Sequence, residues 1–150
     1  MNFKSVDEIL DFAVQREQES YDFYMNLSKQ VEVKAMKQIC LDFAKEEEGH
    51  KKKIQRLKAG KLLLTASGKI MDLKISDYTV DVKPSPKLDY QQALIIAMKK
   101  EKAAFKLYTD LAGISTDAAV KQLFLSLAQE EAKHKLRFEI EYDSHILSEN

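Results

Sequence analysis

Residues 10–54 read LDFAVQREQESYDFYMNLSKQVEVKAMKQICLDFAKEEEGHKKKI, and residues 94–138 read LIIAMKKEKAAFKLYTDLAGISTDAAVKQLFLSLAQEEAKHKLRF. The two stretches align without a gap at an offset of 84. Leu10, Ala13, Glu17, Tyr24, Leu27, Ala35, Lys37, Gln38, Leu41, Ala44, Glu46, Glu47, His50 and Lys51 each meet an identical residue, fourteen of forty-five positions. Most other pairs are similar, such as Tyr21 with Phe105 and Ile39 with Leu123. Self-similarity at a fixed offset means one structural unit built twice, and each unit is long enough to be a helical hairpin. Both copies carry the same motif: Glu47-Glu48-Gly49-His50 and Glu131-Ala132-Lys133-His134 read E-x-x-H, each with a glutamate thirty residues upstream, Glu17 and Glu101.

Helical periodicity surrounds these motifs. Ser5-Val6-Asp7-Glu8 reads as a capping box that opens a first helix running to about Gln30. A second helix is expected from about Val33 to Leu57, with the stripe Ile39, Phe43, Glu47, His50, Ile54, Leu57 and a stop at Gly60. Asp89 caps a third, expected to end at Ala112 before Gly113. Ser115 or Thr116 caps a fourth, reaching about Ile146 with the stripe Leu123, Leu127, Glu131, His134, Phe138.

Between the hairpins, residues 59–88 contain Gly60, Gly68, Pro84 and Pro86, and the segments Lys69–Ile75 and Tyr78–Val82 look extended. Their apolar content argues for an ordered crossover rather than a linker. Some thirty extended residues reach roughly 100 Å, whereas a 25-residue helix is only about 38 Å long. The expectation is one domain over residues 1–150, with hairpin 5–58, crossover 59–88 and hairpin 89–147. That is the all-α connectivity of a four-helix bundle with one long crossover.

Bulk properties narrow the function classes. Twenty-four basic and twenty-four acidic residues cancel, so net charge favours neither nucleic acid nor an anionic membrane. The single cysteine, Cys40, excludes an intrachain disulfide and a tetra-cysteine metal site. It aligns with Phe124 and is expected in the core. Met1–Ser5 has no hydrophobic leader pattern, and no apolar run of membrane-spanning length occurs, so a cytoplasmic location is the expectation.

The glutamates and histidines stand on stripes that are otherwise apolar. A buried, isolated carboxylate is costly unless it is neutralised, paired or metal-bound. All four helices bring a carboxylate to the inner face near mid-length, and two also bring an imidazole. Four carboxylates match the charge of two divalent ions, and mixed carboxylate and imidazole ligation suits iron or manganese, with zinc also able to bind. The expected ligand set is Glu17, Glu47, His50, Glu101, Glu131 and His134. Glu47 and Glu131 would bridge, Glu17 and Glu101 would each serve one metal, and each histidine would complete one shell.

These residues resemble those of the ferritin-like di-iron carboxylate proteins, and within them the rubrerythrin-type domain. The shared pattern is a glutamate from each of two helices plus Glu-x-x-His from each of the other two, and it covers residues 5–147 here. The chain is similar to short forms that lack the rubredoxin-like module, since it has no Cys-x-x-Cys pairs. Ala104 stands where rubrerythrins tend to have a further carboxylate. The resemblance implies a ferritin-like bundle, two iron ions per chain, a homodimer, and reduction of peroxide or dioxygen with electrons from an unidentified donor. Iron oxidation for storage, or a non-enzymatic metal-stabilised module, are the alternatives.

Other residues carry weaker expectations. Tyr24 and Tyr108 follow Glu17 and Glu101 by seven residues on the same face, as core aromatics or as hydroxyls that orient a ligand carboxylate. Glu46 and Glu130 point about 100° away from the motif residues and are read as surface residues or supports behind the ligands. His145, Lys51–Lys53 and Lys99–Lys100 are expected at the surface.

Overall fold

A computed structural model describes residues 2–60, 73–80 and 89–149. Among them are four long α-helices: α1 Val6–Gln30, α2 Lys34–Ala59, α3 Tyr90–Ile114 and α4 Ala118–Glu149. Helix α1 packs along α2 and α3 along α4, and α1 meets α3 over a shorter stretch.

The caps explain most boundaries. The Ser5 side chain accepts from Glu8 N and caps the start of α1, the first half of the expected capping box. Asp89 and Gln92 form a reciprocal capping box at the start of α3. Two expectations need correction. Asp117, not Ser115 or Thr116, caps α4, its Oδ1 accepting from Val120 N at 3.0 Å. Ser115 instead turns back on α3 and donates to Leu111 O at 2.6 Å. Gly113 does not stop α3, which continues to Ile114. Gly60 does cap α2, but with φ −78° in the right-handed region, so the stop uses no left-handed turn.

The apolar core divides into two clusters, one on each side of the mid-length glutamates. The first gathers Ile9, Leu10 and Ala13 of α1, Ile54 and Leu57 of α2, Leu107 and Leu111 of α3, and Phe124 and Leu127 of α4. The second gathers Tyr24 and Leu27, Met36, Cys40 and Ala44, Leu94 and Ala97, and Phe138 from the same four helices. Cys40 is a buried free thiol, as expected of a core residue. The order of the clusters along each helix fixes direction: α1 runs parallel to α4, and antiparallel to α2 and α3. Helix α2 therefore ends at the end of the bundle where α3 finishes, and the connection must return along the whole bundle.

Part of that connection is described. Asn2 forms an antiparallel bridge with Lys74, and Phe3 N donates to Leu73 O at 3.2 Å. A short 3₁₀ helix over Ile75–Asp77 follows. Extended backbone therefore holds at Lys74 but not at Ile75, and residues 69–72, like residues 81–82 of the second extended segment, lie outside the described residues. Tyr78 is buried in the first cluster and donates to Asp110 Oδ2 at 2.7 Å, which ties the crossover to α3.

Gly49 lies inside α2, and an added Cβ would meet nothing within 4 Å. Glycine inside a helix costs about 0.5–1 kcal/mol relative to alanine. Gly49→Ala should therefore raise unfolding free energy by about 0.5–1 kcal/mol in a urea titration. A loss of stability would show that the site needs the backbone freedom at this position.

Candidate metal centre

The gap between the two apolar clusters is filled by the six expected residues. Glu17, Glu47, His50, Glu101, Glu131 and His134 are all at most 3% exposed. Their atoms form two groups able to hold a metal ion: Glu17, Glu47, His50 and Glu131, and Glu47, Glu101, Glu131 and His134. Within each group the ligand atoms lie within 4.8 Å of one another. Glu47 and Glu131 belong to both groups, whereas Glu17, Glu101 and each histidine belong to one.

The polar atoms that lack a partner show whether the donor set fits a cation. Among the described residues, every buried side-chain polar atom without a hydrogen bond, apart from Arg16 Nε, belongs to these six residues. They are both oxygens of Glu47 and of Glu131, Oε2 of Glu17 and of Glu101, and Nδ1 of His50 and of His134. His50 Nδ1 is 2.8 Å from Glu131 Oε1, and His134 Nδ1 is 3.2 Å from Glu47 Oε1, without hydrogen-bond geometry. Unpartnered buried polar atoms each cost about 1–3 kcal/mol. Eight converging on one place fit cations as their missing partner.

Electrostatics says the same. Burial, and then the neighbouring Glu17 and Glu101, push the Glu47 carboxyl well above its ordinary range. Burial, then Glu101 and Glu47, do the same to Glu131. Burial opposes a charged His50, but the facing Glu131 and Glu17 outweigh it and push the imidazole up to about 11. His134 is raised as well, its burial outweighed chiefly by Glu101. Without cations the cluster must hold protons to offset its own negative charge.

The outward atoms are held by residues from the opposite hairpin. Tyr24 on α1 donates to Glu101 Oε1 on α3, and Tyr108 on α3 donates to Glu17 Oε1 on α1. Both readings of these tyrosines thus hold: they are fully buried aromatics, and their hydroxyls orient a carboxylate. Burial, and then the glutamate each one faces, push both phenols well above their ordinary range, so they stay protonated donors. His134 Nε2 lies 2.7 Å from Glu46 Oε2 on α2, and His50 Nε2 pairs with Glu130 on α4. With Nε2–H donated to a carboxylate, the neutral imidazole presents Nδ1 to the centre, the tautomer a metal ligand requires. Phe43 stacks on the His134 ring at 3.9 Å between centroids.

Other polar residues expected near the surface also find partners. Glu46 and Glu130 are not spare surface charges but the partners of the histidines. Their side position on one helix faces the neighbouring helix across the bundle, and their identity in the repeat was the available signal. Lys100 is half-buried beneath Phe23, its ammonium 5.6 Å from the ring centroid, and burial lowers its pKa. Lys51 donates to Gln18 at 2.6 Å. His145 packs edge-on against Tyr90 at 5.2 Å.

Two outcomes are expected. Removing the support for a ligating histidine typically costs about 10–100-fold in metal affinity. Glu46→Gln or Glu130→Gln should therefore weaken metal binding by that order in a competition titration, with helical content unchanged. In metal-free protein, the raised carboxyl groups stabilise the fold fully below their unfolded value of 4.5 and lose that contribution as pH rises through the folded values. His50 acts with the same sign, from 6.5 unfolded to about 11 folded. The melting temperature of metal-free protein should thus fall as pH rises above neutrality, and Glu47→Gln should flatten the fall. A rising melting temperature would contradict this.

Known proteins agree with the geometry. No curated protein matches this sequence. Among solved structures, a hypothetical protein from Pyrococcus furiosus is 24% identical with a TM-score of 0.74, covering 93% of this chain and 89% of that one. A structure described as a candidate ferritin-like diiron-carboxylate protein from Thermotoga maritima is 19% identical with a TM-score of 0.76, covering 95% and 97%. At these identities the two structures establish a shared fold, the ferritin-like four-helix bundle. The family model for rubrerythrin matches residues 8–142. The chain belongs to the rubrerythrin family.

Proposed function

We propose that the protein is a di-iron oxidoreductase of rubrerythrin type that reduces hydrogen peroxide or dioxygen. The observation that carries the reading is the pair of four-residue groups sharing Glu47 and Glu131. Two ions held by shared carboxylates lie close enough to act on one substrate together. Two divalent ions balance four carboxylates, and carboxylate with imidazole ligation suits iron, which can change oxidation state as zinc cannot.

Glu17, Glu47, His50 and Glu131 would hold one ion, and Glu47, Glu101, Glu131 and His134 the other. Bound iron would supply electrons to the oxidant. The chain's own contribution is positional. Tyr24 and Tyr108 fix the unshared carboxylates, Glu46 and Glu130 fix the imidazoles, and the two apolar clusters exclude bulk water from both ends. Manganese or zinc remain alternatives to iron.

No helix among the described residues is long and apolar enough to cross a membrane. We place the protein in the cytoplasm as a homodimer that receives electrons from a separate donor. A storage role would require a large closed assembly, so solution mass separates that reading from this one. Ferrous protein prepared without oxygen should be oxidised by hydrogen peroxide much faster than free ferrous ion in the same buffer. A rate no faster than free iron would rule out the oxidoreductase reading.

A further inference from the structure

A narrow cleft lies on the seam between α1 and α3 and reaches Glu17. Its inner wall is built from Ser20, Ala103, Ala104 and Leu107, and Arg16 and Lys100 stand at its partly exposed rim. Tyr78 and Val80 of the crossover close one side. The cleft has room of about 30 Å³ for water-sized molecules. A water needs about 10–15 Å³ on that measure, so the space suits two oxygen-sized atoms and no organic side chain.

The wall follows the internal repeat. At the offset of 84, Ser20 aligns with Ala104, Arg16 with Lys100, and Glu17 with Glu101. Each hairpin therefore gives the seam one small residue three positions after its glutamate and one cation just before it. Small residues at facing positions hold the helices apart by nothing bulky, and the gap persists because no side chain fills it. By contrast, the flanking repeat pair Tyr24 and Tyr108 is fully buried and closed.

We infer that this seam is the entry port of the centre, and that Ser20, Ala103 and Ala104 restrict its substrate to a two-oxygen molecule, hydrogen peroxide or dioxygen, over bulky organic hydroperoxides. The inference rests on the oxidoreductase reading for its substrate, but the port is a property of the protein with or without metal. For peroxide the balance is one O–O bond broken, two protons and two electrons consumed, two waters formed, and two ferrous ions each oxidised by one electron. At the rim Arg16 is paired with Glu19 at 2.8 Å, and Lys100 stands beside them.

Two readouts separate the port from the chemistry. In metal-free protein under dissolved oxygen pressure, paramagnetic relaxation of Leu107 methyl signals should exceed that of Leu10, Leu94 and Leu111, which are as deeply buried but do not line this cleft. Ala104→Leu, or Ser20→Leu from the opposite wall, should abolish the excess. Equal relaxation of all four leucines overturns the port, whatever the iron chemistry does. In ferrous protein, hydrogen peroxide should oxidise the centre at least about tenfold faster than cumene hydroperoxide at equal concentration, and either leucine variant should slow peroxide by about tenfold at unchanged iron content. Equal rates for the two oxidants, or rapid oxidation unaffected by both variants, overturns the size restriction. If neither oxidant reacts while the Leu107 excess is present, the oxidoreductase reading fails and the port stands as a route for small molecules.

Discussion

Four carboxylates face one another at the centre of the bundle, all removed from water, and among the described residues no lysine or arginine forms an ion pair with them. This is the constraint on which the rest of the structure depends. Like charges at such distances in a low-dielectric interior cannot all remain ionised without a compensating charge. Of the described basic side chains, only His50 and His134 stand against the glutamates. The protein holds the carboxylates with tyrosine hydroxyls on one side and leaves the inward oxygens open. A site so arranged is poorly suited to an empty protein and well suited to one that binds two divalent cations.

The same constraint organises the contacts between hairpins. Within each hairpin the helices pack along their length, while across hairpins α1 and α3 meet only over a short stretch. The polar bonds cross between hairpins in every case: Tyr24 to Glu101, Tyr108 to Glu17, His134 to Glu46, and His50 to Glu130. Each half of the repeat thus completes the site of the other. The buried cluster is then part of what joins the two hairpins as well as the place able to hold metal ions. Apolar clusters on either side supply the burial that makes the arrangement rigid.

Much of this was legible in the sequence because the repeat is gapless. An offset of 84 places Glu17, Glu47 and His50 on Glu101, Glu131 and His134, and helical spacing puts them at one level. What stayed open was lateral. Glu46 and Glu130 lie about 100° from the motif glutamates, and on a single helix that direction looks like solvent. In the bundle it faces the neighbouring helix of the other hairpin. The fourth-helix cap was ambiguous for a different reason: Ser115, Thr116 and Asp117 are consecutive and all chemically able to cap, so only the backbone could choose. Lys100 looked solvated because its aromatic cover, Phe23, comes from α1.

The central claim is that the buried cluster is a two-metal site. Elemental analysis of natively purified protein, set against protein concentration from amino-acid analysis, tests it most directly. The account predicts two metal ions per chain, chiefly iron, and a marked fall in Glu47→Ala, which removes a ligand shared by both groups. Folded wild-type protein that holds no stoichiometric metal, and takes up none from ferrous solution, would contradict it.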